Sequence, residues 1–371
     1  MQLDNNQKAF FELAKAGLWE KDVLLSQFNK IDYEDVYRLA VEQSVVGLVA
    51  AGIEHVTDVK IPKDVSLSFV GDTLQLEQQN KAMNSFVAKL IAKLREADVY
   101  AILVKGQGIA QCYERPLWRA SGDVDLLLSW DNYELAKSVL LPLAIEQEQE
   151  YKKFKHLGMT FKGGFVVELH GTLHSRLSKR IDRGIDDAQK DVFYGGNVRS
   201  WLNGNTHVFL PDINNDVIFV FTHILHHFYI EGIGLRQICD WCRLLWTYRD
   251  SVNCGLLESR IRKMELMTEW KAFAALAVDW LGMPEEVVPM YSSDRKWSKK
   301  AEKIIEFVLE TGNFGHNRER EVSSSYMGGK LASTFRKLKD FSHHMRVFPL
   351  DSVKFFCYFA IDGIGGAMRG E

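Results

Sequence analysis

Two aspartates separated by one valine, Asp123 and Asp125, head the apolar run in RASGDVDLLL. Successive strand side chains point to opposite faces, so the two carboxylates share a face about 6–7 Å apart, while Val124 and Leu126 point into a core. Hard oxygen donors placed this way suit Mg2+ or Mn2+, which take carboxylates together with water and substrate phosphate. A strand start with solvated acids has the same local pattern. A third carboxylate, Glu168, lies in FVVELH, where Val166, Glu168 and His170 share one face and Phe165, Val167 and Leu169 the other. Three carboxylates around two cations let one metal activate a hydroxyl while the other neutralises a triphosphate. The plainer reading of Glu168 is a solvent-facing strand residue.

The turn Lys105-Gly106-Gln107-Gly108 closes one apolar run and opens a helical one. Glycines let backbone N–H groups approach phosphate oxygens, and a helix N-terminus adds the positive end of its dipole. Lys105 is long enough to reach the outer phosphates of a nucleotide. A short glycine pattern is also common in ordinary strand-to-helix turns. Arg119 and Ser121 flank the aspartates and either contact phosphate or structure the loop.

The elements that must position these residues change character along the chain. Residues 1–97 read as helical, with Phe10, Leu13, Ala14 and Leu18, then Val36, Leu39 and Ala40, at helical spacing. Pro62 marks a break, Asp64 or Ser66 is a candidate cap, and a long helix is expected over 66–97. Strands are expected over 99–104 and 123–128, and a helix capped at Ser129 or Asp131 runs to about 145. Two extended runs, 153–161 and 165–173, are joined at Lys162-Gly163-Gly164 as a hairpin. Residues 178–205 read as a polar stretch, followed by a short apolar run over 207–210. Helices are expected over 212–229, 235–248 and 256–281. The division is 1–97 helical, 98–211 an α/β core and 212–371 helical.

His223, His226 and His227 invite a metal reading, because the first and last lie four apart on one helix face. No glutamate stands between them in an H-E-x-x-H arrangement, which removes the zinc-protease pattern. They line an interdomain cleft or are satisfied core histidines. Cys239 and Cys242 have C-x-x-C spacing without a second pair and read as structural.

Bulk properties set the frame. With 46% hydrophobic and 26% charged residues, the 371-residue chain is ordinary for a globular protein of two or three domains. A formal net charge of −3 carries no strong nucleic-acid signature. Five cysteines are odd in number and mostly far apart, a pattern that does not suggest a secreted disulfide framework. The first residues lack the build of a signal peptide, and no apolar run is long enough for a membrane span, so the cytoplasm is expected. Between 294 and 346 Lys and Arg outnumber Asp and Glu, and this segment, with its loop-like GNFGHNRERE and SSSYMGGK, is expected to be mobile or to face a partner.

The order K-G-x-G, then R-x-S-G-D-V-D-L, then E-L-H resembles the nucleotidyltransferase superfamily of DNA polymerase β type. More closely it is similar to an uncharacterised bacterial nucleotidyltransferase family, through FFELAKAGLWE, LVKGQGIAQCY, RPLWRASGDVDLLL, VELHGTLH and HILHHF…GLRQICDWCRLL. A more distant likeness is to toxin–antitoxin nucleotidyltransferases. The resemblance implies an α+β fold with a mixed sheet flanked by helices, and Asp123, Asp125 and Glu168 as the metal-binding triad. The chain departs from the superfamily's usual Gly-Ser or Gly-Gly turn, because Gln107 and Gly108 follow Gly106, and the interval to Asp123 is slightly long.

The expected reaction is transfer of a nucleoside monophosphate from an NTP to an acceptor hydroxyl with release of pyrophosphate. Asp123 and Asp125 hold Mg2+ or Mn2+. Glu168 completes the site and orients or deprotonates the hydroxyl, and Lys105 and Arg119 stabilise triphosphate charge. The acceptor is a small molecule, a tRNA or a protein, and the basic late segment favours an anionic one. The rival readings are an inactive nucleotide-binding regulator of the same fold and a metal-dependent hydrolase built on His223, His226, His227 and Asp240. Metal preference separates the last, since imidazole sites favour Zn2+ or Ni2+.

Overall fold

The computed structural model describes residues 3–313 and 339–358. Four helices come first: α1 (Asn5–Trp19), α2 (Tyr33–Glu42), α3 (Val46–Glu54) and the long α4 (Lys63–Arg95). Asp4 and Asp32 cap α1 and α2 by accepting from backbone N–H groups of the first turn. Neither Asp64 nor Ser66 caps α4, which starts directly after Pro62. Close approach of α1 and α3 depends on Gly17 and Gly52: a Cβ at either would lie about 2 Å from a backbone carbonyl of the other helix.

Next come β1 (Ile102–Val104), the short α5 (Gly106–Ala110), β2 (Val124–Leu127), α6 (Trp130–Leu140), β3 (Glu146–Gln147), β4 (His156–Phe161) and β5 (Phe165–His170). Ser129 caps α6, and β4 and β5 form the hairpin around Lys162-Gly163-Gly164, with Phe161 opposite Phe165. The polar stretch 178–205, given no element from its sequence, is largely regular structure. It contains α7 (Lys179–Tyr194), capped by Ser178, and β6 (Val198–Asn203), which pairs with β7 (Thr206–Pro211). Ile181, Ile185, Ala188 and Val192 give α7 a narrow buried stripe among charged residues.

Beyond β7 the chain is helical: α8 (Ile213–Ile230), α9 (Leu235–Thr247), α10 (Cys254–Lys263), α11 (Met267–Asp279) and α12 (Arg295–Thr311), with further helix over 339–347 and 349–358. The single helix expected over 256–281 is two, broken where Glu265 takes a positive φ of 58°. Residues 314–338, which hold the middle of the basic segment and nearly all of its two loop-like stretches, lie outside the described residues.

Among the described residues the strands form one mixed seven-stranded sheet in the order β3-β4-β5-β2-β1-β7-β6. β2 runs parallel to β5, and β1 parallel to β7; the other neighbours are antiparallel. Strand alternation sends Leu103, Val124, Leu126, Val167 and Leu169 to one face, where they pack with Val87, Leu90 and Leu94 of α4 and Tyr133 and Leu140 of α6. The other face contributes Ile102, Val104 and Leu127 to a larger core shared by α1 to α3 and the late helices. Phe11 meets Trp280 edge-on at 5.3 Å, and the Gln43 side chain joins Val308 to Leu235, so the first and last helical regions enclose a common interior. No described helix is long and apolar enough to cross a membrane.

Candidate active site

Strand alternation also delivers the polar residues. Asp125 is opposite Val104 on β1 and in register with Glu168 on the parallel neighbour β5, so both carboxylates emerge on the sheet face that looks toward α8. Asp123, just ahead of β2, opens at the rim of the same cleft, about 480 Å³ in volume, whose walls include Lys105, Arg236, and residues 172–176. Six of the chain's eleven histidines line it: His156, His170 and His174 from the hairpin side, and His223, His226 and His227 from α8.

Lys105 and His170 neutralise the acids at close range. Lys105 Nζ lies 2.8 Å from Asp125 Oδ1, and His170 Nε2 lies 2.9 Å from the same oxygen and 3.3 Å from Glu168 Oε2. His156, opposite His170 across the hairpin, contacts Glu168 Oε2 at 3.2 Å. Burial opposes the ionised form of Asp125, but Lys105 and His170 outweigh it and lower the pKa; His156 and His170 do the same for Glu168. Asp123 goes the other way. Its desolvation in the cleft rim, with Asp125 and Glu168 nearby, raises its pKa. Lys105 and His170 are each held above their ordinary values by the carboxylates, against the pull of burial.

The three carboxylates therefore share a cleft, and their hard oxygens are a donor set that fits a divalent cation. Among the described residues, His156, Glu168 and His170 form a group whose ligand atoms lie within 4.8 Å of one another. His156 and His170 are the site residues that sequence reasoning missed. The signal was present: His170 is two along from Glu168, and counting back from the glycine turn sets His156 opposite it.

The turn after β1 is tied to the helix behind it. Lys105 and Gly106 have positive φ of 58° and 44°. Gln107 turns inward, donating to Asn84 Oδ1 at 2.7 Å and Asn80 Oδ1 at 3.2 Å on α4, so its side chain anchors the turn and leaves Gly106 at the cleft. Gly108 sits against Leu210, whose methyl would lie 2.7 Å from a Cβ. Asn80 also donates to the carbonyls of Leu117 and Arg119, linking the turn to the loop before β2.

Arg119 lines the cleft, but its guanidinium is engaged by Asp240 of α9 through two 2.7 Å hydrogen bonds, and Tyr113 donates to the same carboxylate at 2.8 Å. Arg119 therefore fastens the loop that carries Asp123. Arg236 adds a bond to the carbonyl of Ala120 at 3.1 Å, while Ser121 is half-buried in that loop outside the cleft lining. Opposite the acids, His226 Nδ1 donates to the Ser175 carbonyl at 2.7 Å. Asp182 accepts from the Ser175 backbone and hydroxyl at 2.9 and 3.0 Å, holding that wall against α7. Cys239 and Cys242 are free, buried thiols.

No curated protein and no solved structure matches the chain significantly. A family model does, over residues 29–282, a span that contains the whole sheet, the three carboxylates, and α8 and α9. The chain thus belongs to the family described as uncharacterised nucleotidyltransferases.

Proposed function

We propose that this protein is a divalent-metal-dependent nucleotidyltransferase that moves an NMP from an NTP to an acceptor hydroxyl and releases pyrophosphate. The observation that carries the reading is the register of Asp125 with Glu168 on adjacent parallel strands, with Asp123 at the rim and Lys105 at 2.8 Å from Asp125. Family membership supports the reaction class. The polymerase β-like arrangement of the core belongs to the same proposal.

Asp123, Asp125 and Glu168 would hold Mg2+ or Mn2+. A bound cation supplies charge neutralisation on the triphosphate and lowers the pKa of the attacking hydroxyl. Lys105, whose Nζ lies 2.8 Å from Asp125 Oδ1, would offer its positive charge to the nucleotide's phosphates beside the carboxylates. His170 and His156 orient Glu168, as imidazole partners orient ligating carboxylates elsewhere. Gly106 lets the backbone approach phosphate, while Gly108 serves the packing of the turn on β7. Arg119 contributes by fixing the loop of Asp123 through Asp240. The three domains expected from the sequence remain part of this reading: a catalytic sheet between two helical regions that shape the nucleotide and acceptor subsites. Neither rival reading gains from the family match.

The test is incubation of the protein with each α-labelled NTP, Mg2+ and cell extract fractionated into RNA, protein and small molecules. Label retained in one fraction and lost in Asp125→Asn supports transfer and names the acceptor class. Equal behaviour of wild type and Asp125→Asn with every NTP overturns it.

A further inference from the structure

The polar face of α8 carries a feature that the acidic site does not use. His223, His227 and Glu231 follow one another at four-residue steps and so lie along one helix face. His227 Nδ1 is 2.8 Å from Glu231 Oε2, and His227 Nε2 is 3.0 Å from His223 Nε2. The two rings meet edge to face with centroids 4.3 Å apart. All three residues line the cleft that holds Asp123, Asp125 and Glu168.

The valence of the nitrogens gives this chain a direction. The Glu231 carboxylate only accepts, so His227 carries its proton on Nδ1. With that single proton on His227, its Nε2 lone pair faces His223, and the 3.0 Å contact is closed by donation from His223 Nε2. His223 is left with a lone pair on Nδ1. We propose that Glu231 and His227 are positioning residues that hold His223 in this tautomer, and that His223 is the catalytic base for the acceptor hydroxyl.

The inference rests on the nucleotidyl-transfer reading above and assigns its proton. As the acceptor attacks, its O–H bond breaks and the proton goes to Nδ1 of His223. The acceptor oxygen forms a bond to the α-phosphorus, and the bond from that phosphorus to the α,β-bridging oxygen breaks, its electron pair leaving with pyrophosphate. Glu168 is less well placed for the proton, because its Oε2 already faces both His156 and His170. The environment keeps His223 neutral and its lone pair available. Burial lowers its pKa far below the ordinary imidazole value, and the groups that face it act in the same sense: Lys105 after β1, His170 on β5, and His227 and His226 on its own helix. Glu231 is held ionised by its bond to His227, despite partial burial.

Long-range proton–nitrogen NMR of the histidine-labelled full chain tests the relay without needing turnover. At pH 7 the expected spectrum shows His227 as the Nδ1–H tautomer and His223 as the neutral Nε2–H tautomer, with both sets of shifts moved by Glu231→Gln. A cationic His223, an Nδ1–H His223, or no response at His223 to Glu231→Gln overturns the relay. In the α-label transfer assay, His223→Gln lowers kcat by about 100-fold or more with little change in KM, and Glu231→Gln lowers it by about tenfold and alters the pH profile. If His223→Gln transfers at the wild-type rate while Asp125→Asn is inactive, the relay is wrong and the transfer reading stands. If wild type and Asp125→Asn behave alike, the transfer reading fails, and the catalytic role of His223 fails with it.

Discussion

Replacing Asp240 by Asn removes one charge from a pair that has little access to water. The side chains of Arg119 and Asp240 are 6% and 7% exposed, and two 2.7 Å hydrogen bonds join them. Taking a guanidinium out of water is expensive, and the pair returns that cost only while both partners are present. Loss of one partner leaves the other charge uncompensated, a penalty of about 3–5 kcal/mol. Tyr113 also loses the ionised acceptor of its 2.8 Å bond. Asp240→Asn should therefore lower unfolding free energy by about 3 kcal/mol, followed in urea by tryptophan fluorescence with an unchanged denaturant slope. The double variant Arg119→Met, Asp240→Leu should recover most of the loss, since an apolar pair of similar volume avoids desolvation altogether. A single-variant cost below about 1 kcal/mol, or a double variant as unstable as the single, would refute the reasoning. The same change should weaken the acidic site, because Asp240 holds the loop that brings Asp123 to the cleft.

Glu269 is fully buried, accepts from Tyr229 at 3.3 Å, and is pushed up to about 8 by burial and by Asp351. Because its folded pKa is raised, its stabilising contribution is complete below about pH 4.3, the unfolded value, and is lost as pH rises towards 8. Glu269→Gln should hence gain a few kcal/mol on wild type between pH 5 and 9, read from urea midpoints; parallel pH curves would contradict this. Gly52→Ala sets a Cβ 2.0 Å from the Leu13 carbonyl oxygen, so α1 and α3 must separate and stability should fall by at least 1–3 kcal/mol, roughly the range for overpacked cores. An unchanged melting temperature would show that the helices tolerate the spacing. Titration calorimetry with Mn2+ should give binding that Asp125→Asn abolishes and His226→Gln preserves, and the reverse pattern would move the metal to the α8 imidazoles.

The acidic part of the site was legible because strand alternation is local: D-V-D and E-L-H fix which side chains share a face before any tertiary contact is known. That β2 and β5 are adjacent, with Asp125 level with Glu168, is a non-local fact that spacing alone does not specify. Arg119 illustrates the limit. Its place beside the aspartates suggested phosphate, but the partner that occupies its guanidinium, Asp240, comes from a helix distant in sequence. The segment 178–205 yields no element from its sequence because the α7 stripe is narrow and most of its remaining residues are charged, so mean polarity masks a periodic pattern. Gln107, a departure from the superfamily turn, made sense only once α4 supplied Asn80 and Asn84 as its acceptors.

The central claim is that the α-phosphoryl group moves with its nucleoside. The most direct measurement uses one NTP labelled at either the α or the γ position with the same acceptor-containing extract. The account predicts α-label retained on the acceptor, γ-label recovered in pyrophosphate, and both outcomes lost in Asp125→Asn. Retention of the γ-label on the acceptor, or its release as orthophosphate without α-label transfer, would contradict nucleotidyl transfer at this site.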